Sequence, residues 1–255
     1  MSDLARRGQE LRVAIDCFPG TTARYAADHR IVVVDVIRAT TLAVSAAITG
    51  RRCIVAAGPD EAVAIRRQLG GALLAGELGG DMPSGFDMNN SPADLELRTD
   101  VERPLVMVSS SGAPLMLEGG GLDDGADVAC FRNFSAVARE LIGNYDRVAI
   151  IGAGSRGEFR EEDQICCAWL GGLLTDAGYL AENDETNRII ERWRHAPATA
   201  SEISNSVGYL SKSGQLRDYD FIVDHIDDVD QACSIVGNEV FAGPDTARGV
   251  EAAAG

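Results

Sequence analysis

The stretch IVVVDVIRATT, residues 31–41, decides the fold of this chain. Its first seven residues are almost all aliphatic, a run that is typical of a strand buried on both faces of a parallel sheet. The residues that follow, ATTLAVSAAITG, predict a helix that ends at Gly50. A strand that leads directly into a helix indicates a β–α unit, from which α/β folds are built.

The same alternation continues on both sides of this stretch. Strands are predicted at residues 11–17, 52–58, 72–77, 104–112, 126–131 and 147–154, and helices at 59–71, 133–143 and 161–178. Residues 182–210 also have a mostly helical pattern. We therefore predict an α/β fold in which a mainly parallel sheet is flanked by helices in three layers, with a helical C-terminal portion.

The chain has no clear internal boundary. Residues 1–236 are predicted to form one α/β domain, with two subdomains at about 11–125 and 126–236 as the alternative. Residues 237–255 are small and polar, so we expect a mobile tail there. Residues 78–97 are rich in Gly, Pro, Asn and Asp and predict a long loop, which in a compact domain usually carries function.

Composition excludes several classes of protein. The 255 residues include 39 acidic and 23 basic side chains, a net charge of −16 that disfavours nucleic acid and anionic membranes as partners. Lys212 is the single lysine, so a site for an anion must use arginine, backbone N–H groups or a metal ion.

The sequence has no run of about 18 apolar residues and no signal-like start, so we expect a cytoplasmic protein. Its six cysteines are expected to be reduced core residues, with disulfides or zinc as the alternative.

Asp35 is the first candidate for chemistry. A carboxylate in the middle of an apolar strand is costly to bury unless it is paired or bound to metal. One interpretation is a structural ion pair between Asp35 and Arg38. The other is an active-site carboxylate beside an arginine and a helix N-terminus, where Thr40 and Thr41 would also bind a phosphate.

Two further segments place polar side chains at predicted strand ends. Glu77 ends one strand and faces the long loop, which contains Asn90 and Ser91; turn chemistry alone would also explain such residues. The next strand ends in a turn that offers hydroxyl and N–H groups to an anion, or simply caps a helix; its residues are Ser109, Ser110, Ser111 and Gly112.

A glycine-rich turn at residues 152–157 follows the strand at 147–154 and is expected to open a helix. It matches a dinucleotide fingerprint, but the acids that follow it would repel a pyrophosphate, and no acidic strand end appears about 20 residues later. Glu162 and Asp163 have two interpretations of equal weight. They complement the helix dipole, or they bind Mg²⁺ at the carboxyl end of a strand.

Four segments in this order resemble the 2-phosphosulfolactate phosphatase family: VVVDVIRATT, GELGGDMPSGFDMNNSP, SSSGAPLM and GAGSRGEFREEDQICCA. The resemblance extends over roughly residues 11–224 and includes Ser206, Gly208, Leu210, Gly214 and Asp218. It implies a Mg²⁺-dependent phosphatase that converts 2-phosphosulfolactate to sulfolactate and phosphate. The family's acids fall on Asp35, Glu77, Asp87, Glu162 and Asp163, and its polar partners on Arg38, Asn90 and Ser91.

From the residues and the resemblance together we predict the following site. Asp35, Arg38 and Glu77 are catalytic, and Asp35, Glu77, Glu162 and Asp163 bind Mg²⁺. The substrate-binding residues are Thr40, Thr41, Asn90, Ser91, Ser110, Ser111 and Gly112. Whether Asp35 is a nucleophile or a metal ligand stays open. The partner is a small phosphorylated acid, and a homodimer is favoured.

Two positions depart from the family pattern. The family commonly has an arginine where this chain has Leu78, and an asparagine where it has Ser111. Both losses remove groups that often hold a sulfonate or carboxylate. The alternative function is therefore a member with an altered substrate, or one that binds a phosphorylated acid without hydrolysing it.

Overall fold

A computed structural model describes residues 10–18 and 20–243, and it confirms the α/β fold. The strands are β1 (Arg12–Asp16), β2 (Arg30–Val34), β3 (Cys53–Val55), β4 (Leu73–Gly76), β5 (Leu105–Val108), β6 (Ala126–Ala129), β7 (Arg147–Gly152), β8 (Leu180–Ala181), β9 (Cys233–Val236) and β10 (Glu239–Ala242). The helices are α1 (Thr22–Tyr25), α2 (Ala39–Ile48), α3 (Pro59–Gln68), α4 (Pro92–Glu96), α5 (Gly112–Gly120), α6 (Phe134–Leu141), α7 (Glu161–Asp176), α8 (Asp184–Trp193), α9 (Asn205–Lys212) and α10 (Leu216–Asp224), with a 3₁₀ helix at Ala198–Ile203.

The ten strands form a single sheet in the order β4-β5-β3-β10-β9-β6-β2-β7-β1-β8. Pairing is parallel within β4-β5-β3 and within β6-β2-β7-β1-β8, as predicted for a mainly parallel sheet. Between these blocks, β10 pairs antiparallel with β3 and β9, and β9 pairs antiparallel with β6. Three antiparallel pairings in succession make the two parallel blocks run in opposite directions.

Side chains of β2 alternate between the two faces of the sheet. Ile31 and Val33 pack in one hydrophobic cluster with residues of α2 and α5, whereas Val32 and Val34 pack in another with residues of α6 and α7. The strand is thus buried on both faces, as its aliphatic run predicted, and the helices form the outer two of three layers.

All six cysteines are buried in the interior. No helix in the described ranges is long and apolar enough to span a bilayer.

Strand β2 ends earlier than predicted. It stops at Val34, so Asp35 lies just beyond the strand and not inside it. The reason is that side chains take over the next backbone N–H groups: the Asp35 N–H donates to Thr40 Oγ1 at 3.0 Å, and the Val36 N–H donates to Asp163 Oδ1 at 2.8 Å. These bonds replace the sheet ladder and turn the chain into α2.

Two predictions of irregular structure were wrong in part. The predicted loop at 78–97 contains helix α4, in which Ser91 is the N-cap and accepts a hydrogen bond from the Asp94 N–H at 3.0 Å. The predicted tail at 237–255 contains β10, whose pairing partners β3 and β9 bury Val240. A four-residue strand leaves little periodicity in the sequence, and β10 finds β3 only through the tertiary structure. Residues 244–255 lie outside the described residues.

Candidate active site

Residues from four strand ends and from helix α9 line a cavity of about 300 Å³. The lining includes residues that follow β2, β4, β5 and β7, although β4 and β5 belong to the opposite parallel block from β2 and β7. Sheet twist, roughly 20–25° per strand, rotates the two blocks relative to each other. A wider groove of about 930 Å³ near Phe18 and Arg188 contains none of the predicted site residues.

The predicted residues divide into two groups. Those that line the cavity are Asp35, Arg38, Glu77, Asn90, Ser110, Ser111 and Asp163. Those that are buried outside its lining are Thr40, Thr41, Ser91, Gly112 and Glu162. The structure therefore brings more than half of the predicted set to one place, and it gives the rest contacts with protein groups.

Asp35 is buried at the N-terminus of α2. Its Oδ1 accepts a hydrogen bond from the Ala39 N–H at 3.1 Å, so the carboxylate caps the helix that follows it. Gly112 opens α5 directly against it, because a Cβ added to Gly112 would lie 2.4 Å from Asp35 Oδ2. The pKa of Asp35 is raised to about 7, chiefly because burial disfavours its charged form; the Ala39 hydrogen bond opposes this rise, and the charges of Glu77 and Glu162 add to it.

Asp163 lies in the first turn of α7, beside Asp35. Its Oδ1 accepts from the Val36 N–H at 2.8 Å and its Oδ2 from the Gly154 N–H at 3.2 Å. Burial raises the pKa of Asp163 well above its usual range, and the neighbouring charges of Asp35 and Glu162 raise it further. Two buried carboxylates that repel each other are costly unless a proton or a cation lies between them.

Glu77 connects the loops that follow β4 and β5. Its Oε1 accepts from the Ser110 N–H at 2.7 Å, and its Oε2 accepts from the Gly80 N–H at 2.6 Å and from the Ser110 hydroxyl at 3.0 Å. Both carboxylate oxygens are therefore engaged by the protein. This residue holds the wall of the cavity in place.

The Asp35–Arg38 ion pair, one of the two alternatives from the sequence, is not the arrangement observed. The Arg38 guanidinium forms an ion pair with Asp218, which is 1% exposed, and also donates to Gln215 Oε1 at 2.8 Å and Asn89 Oδ1 at 3.0 Å. Three of its five N–H groups are used in this way. Ser91 Oγ donates to the same Asp218 carboxylate, so Ser91 helps to orient the carboxylate that binds Arg38.

The remaining predicted residues contact the protein itself. The hydroxyls of Thr40 and Thr41 donate to the carbonyls of Asp35 and Val36, both at 2.8 Å. Glu162 is 1% exposed, and its Oε2 has no hydrogen-bond partner in the described part of the chain. Burial raises the pKa of Glu162. Asp87, also implied by the resemblance, forms ion pairs with Arg66 and Arg103 away from the cavity.

One side of the cavity was not among the site residues predicted from the sequence. Its other lining residues are Ile37, Gly79, Gly80, Ser109, Gly154, Ser155, Arg156, Arg160, Asn205, Ser206, Tyr209 and Leu210. Helix α9 closes over the loop after β4, since a Cβ added to Gly80 would lie 2.3 Å from the Tyr209 ring. The segment that resembles the family pattern, which contains Ser206 and Leu210, could have indicated that α9 belongs to the site.

A divalent cation fits part of the predicted ligand set. Within residues 10–18 and 20–243, no three His, Cys, Asp or Glu side chains form a metal-binding group. Mg²⁺, however, is commonly held by one or two carboxylates, with water and substrate phosphate completing its shell. Asp35 and Asp163 supply two carboxylates, and the buried Asn90 Oδ1 has no hydrogen-bond partner among the described residues. These donors fit Mg²⁺, whereas a cage of four carboxylates is not assembled.

Comparison with known proteins gives consistent matches. The family model described as 2-phosphosulpholactate phosphatase matches residues 18–230. A probable 2-phosphosulfolactate phosphatase of Pseudothermotoga lettingae is 32% identical over 196 residues, 77% of this chain and 82% of that protein. The 2-phosphosulfolactate phosphatase of Methanothermobacter thermautotrophicus is 29% identical over 193 residues, 75% of this chain and 80% of its own.

Proposed function

The chain belongs to the 2-phosphosulfolactate phosphatase family, and we propose that it hydrolyses 2-phosphosulfolactate to sulfolactate and phosphate in a reaction that depends on Mg²⁺. The observation that carries this proposal is the pair of buried carboxylates, Asp35 and Asp163, at the wall of a cavity of about 300 Å³. That volume suits a small ligand.

The residues proposed to hold Mg²⁺ are Asp35, Asp163 and Asn90. When bound, the ion neutralises charge on the phosphoryl oxygens and on the carboxylates around them. Without it, the cavity would repel a phosphate ester whenever its carboxylates are charged, because Asp35, Asp163 and Glu77 all line it. The charge balance of the cavity is thus the physical reason for proposing metal dependence.

Protein groups position the ester. Arg38 has two N–H groups beyond the three that bind Asp218, Gln215 and Asn89, and these are available to a phosphoryl oxygen. Its guanidinium is held rigidly by those three partners, so little conformational entropy is lost when it binds. Ser111 and the N-terminus of α5 lie at the same wall, where the helix dipole favours negative charge.

The proposal is tested by phosphate release from 2-phosphosulfolactate with Mg²⁺ and with EDTA. We expect release with Mg²⁺ only, and a loss of at least about 100-fold in Asp35→Asn and in Asp163→Asn. Asp220→Asn is the matched control, since this exposed carboxylate on α10 lies outside the cavity. Full activity in both cavity variants would contradict the site.

The same assay separates the alternative function. Saturable binding of the ester without phosphate release would favour a member that binds a phosphorylated acid but does not hydrolyse it. Release from other 2-phosphorylated acids, with none from 2-phosphosulfolactate, would indicate an altered substrate. The homodimer and the cytoplasmic location stay predictions, and light scattering after size-exclusion chromatography checks the first.

A further inference from the structure

Three arginines line the cavity, and two of them are committed to protein partners. Arg38 is buried and bound to Asp218, Gln215 and Asn89. The Arg160 side chain is 11% exposed; its Nη1 lies 3.3 Å from Glu158 Oε2 and donates to the Phe159 carbonyl at 3.1 Å. Asp218 therefore balances the charge of Arg38, and Glu158 lies against Arg160. Both arginines also use some of their N–H groups before a ligand binds.

Arg156 is different. It is exposed at the cavity wall, and within the described ranges its guanidinium has neither a hydrogen bond nor an ion pair. All five of its N–H groups are available to a ligand. A guanidinium can bind a carboxylate or a sulfonate through two parallel N–H groups, which gives both strength and orientation.

The backbone around Arg156 fixes where this side chain begins. Ser155 and Glu158 exchange two hydrogen bonds, from the Ser155 N–H to the Glu158 carbonyl at 2.8 Å and back at 3.0 Å. Between them Arg156 has φ +56° and Gly157 has φ +77°, the pattern of a type I′ turn. Asn, Asp and Gly are favoured at the first of these positions, and an arginine there is conformationally costly. Backbone strain of this kind clusters at ligand-binding and active sites, so an arginine in this conformation at the wall of a cavity points to a role for its side chain.

The proposed substrate needs such a group. Besides its phosphate, 2-phosphosulfolactate carries a carboxylate and a sulfonate, and the cavity carboxylates repel both. If the phosphate lies beside Asp35 and Arg38, the remaining anionic groups require a positive charge elsewhere in the cavity. Arg156 is the arginine in the lining whose charge is unbalanced by any described residue.

We infer that Arg156 determines substrate specificity by binding the carboxylate or sulfonate of the phosphate ester, so that esters with a second anionic group are selected over neutral ones. This inference rests on the proposed function, which supplies the position of the phosphate. It assigns to Arg156 a role in recognition of the substrate, and no role in breaking the ester bond.

The variant that tests this is Arg156→Asn. Asparagine tolerates the left-handed conformation, so the turn and the fold should be kept and the melting temperature should not fall. Arg67→Gln is the matched control, because it also removes one exposed positive charge but lies on α3, outside this cavity. Any effect of net charge alone appears equally in both variants.

Three esters differ only in their anionic groups: 2-phosphosulfolactate, 2-phospholactate without the sulfonate, and isopropyl phosphate with neither. The measured quantity is the ratio of kcat/KM values between esters. We expect Arg156→Asn to lower the ratio of 2-phosphosulfolactate to isopropyl phosphate by about tenfold or more, as for loss of a charge-assisted hydrogen bond. If Arg156 binds the sulfonate, the ratio of kcat/KM for 2-phosphosulfolactate to that for 2-phospholactate falls. If it binds the carboxylate, the ratio for 2-phospholactate to that for isopropyl phosphate falls. An unchanged ratio, or the same fall in Arg67→Gln, overturns the inference.

A binding experiment separates this inference from the proposed function. Sulfolactate carries both anionic groups and no phosphate, so its affinity, measured by calorimetry, does not depend on hydrolysis. We expect Arg156→Asn to weaken its binding about tenfold or more relative to wild type and to Arg67→Gln. If wild type hydrolyses none of the esters, the proposed function fails and calorimetry alone decides the role of Arg156. If wild type does not bind sulfolactate, the inference is overturned.

Discussion

Asp163 Oδ1 accepts a hydrogen bond from the Val36 N–H at 2.8 Å, across 127 residues of sequence. This contact joins the first turn of α7 to the residue after Asp35 and so places the two carboxylates side by side. Because the Asp163 side chain also accepts from the Gly154 N–H, its position is fixed by the segments that follow β2 and β7. A close pair of buried carboxylates held in this way has consequences for packing, for pH dependence and for cation binding.

Gly112 should tolerate no side chain. In Gly112→Ala the new Cβ would lie 2.4 Å from Asp35 Oδ2 and 2.4 Å from Ala39 Cβ, so the Asp35 carboxylate or α5 must move. We expect kcat to fall at least about tenfold and stability to fall by about 1–3 kcal/mol. Kinetics and thermal melts measure both. Gly208→Ala, with open space around the new Cβ, should retain activity. Retained activity in Gly112→Ala would show that this close approach is not needed.

Stability of the metal-free protein should fall as pH rises through the titration of Asp35. The pKa of Asp35 is about 7 in the fold against an ordinary value of 3.8, so the folded state holds this proton more tightly than the unfolded chain does. The resulting stabilisation is complete below about pH 4 and is lost as pH rises toward and through 7. Urea melts at pH 5 and pH 7.5 in EDTA measure it. In Asp35→Asn this contribution disappears, and an unaltered difference between the two pH values would contradict the prediction.

Mg²⁺ should stabilise the wild-type protein, independently of any activity. A ligand that binds only the folded state at 100 times its Kd adds about 2.7 kcal/mol. We therefore expect a higher melting temperature with Mg²⁺ at pH 7.5, with the increase lost in Asp35→Asn and Asp163→Asn and kept in Asp220→Asn. An equal increase in melting temperature in all four proteins would show that the cation binds at another site.

Asp218 should be needed to position Arg38. Asp218→Asn removes the buried counter-charge of Arg38 and should cost about 3–5 kcal/mol of stability, because the arginine is left buried and unpaired. We also expect a higher KM for the ester, since Arg38 loses its fixed orientation. Asp228→Asn breaks the Arg132–Asp228 pair outside the cavity and should lower stability without raising KM. An unchanged KM in Asp218→Asn would show that the orientation of Arg38 does not matter for substrate binding.

The sequence by itself determined the fold class and the set of chemical groups. A continuous aliphatic run such as residues 31–34 has few ways to be buried other than in a parallel sheet between helices, and that local constraint is readable without the structure. The same holds for Glu77, which was predicted at a strand end, because a strand and the residue that ends it are close in sequence. Asp35 was also identified from the sequence, although it was predicted inside its strand and lies one residue beyond it.

Only the tertiary structure decided which groups meet. Arg38 and Asp218 are 180 residues apart, and their pairing follows from the packing of α10 near α4. The strand β10 leaves too short a pattern to predict, yet with β9 it reverses the direction of one parallel block relative to the other. Contacts of this kind depend on how distant segments share one core, and local periodicity carries no record of that. For the same reason the unpaired Arg156 at the cavity wall could be recognised only once the partners of Arg38 and Arg160 were known.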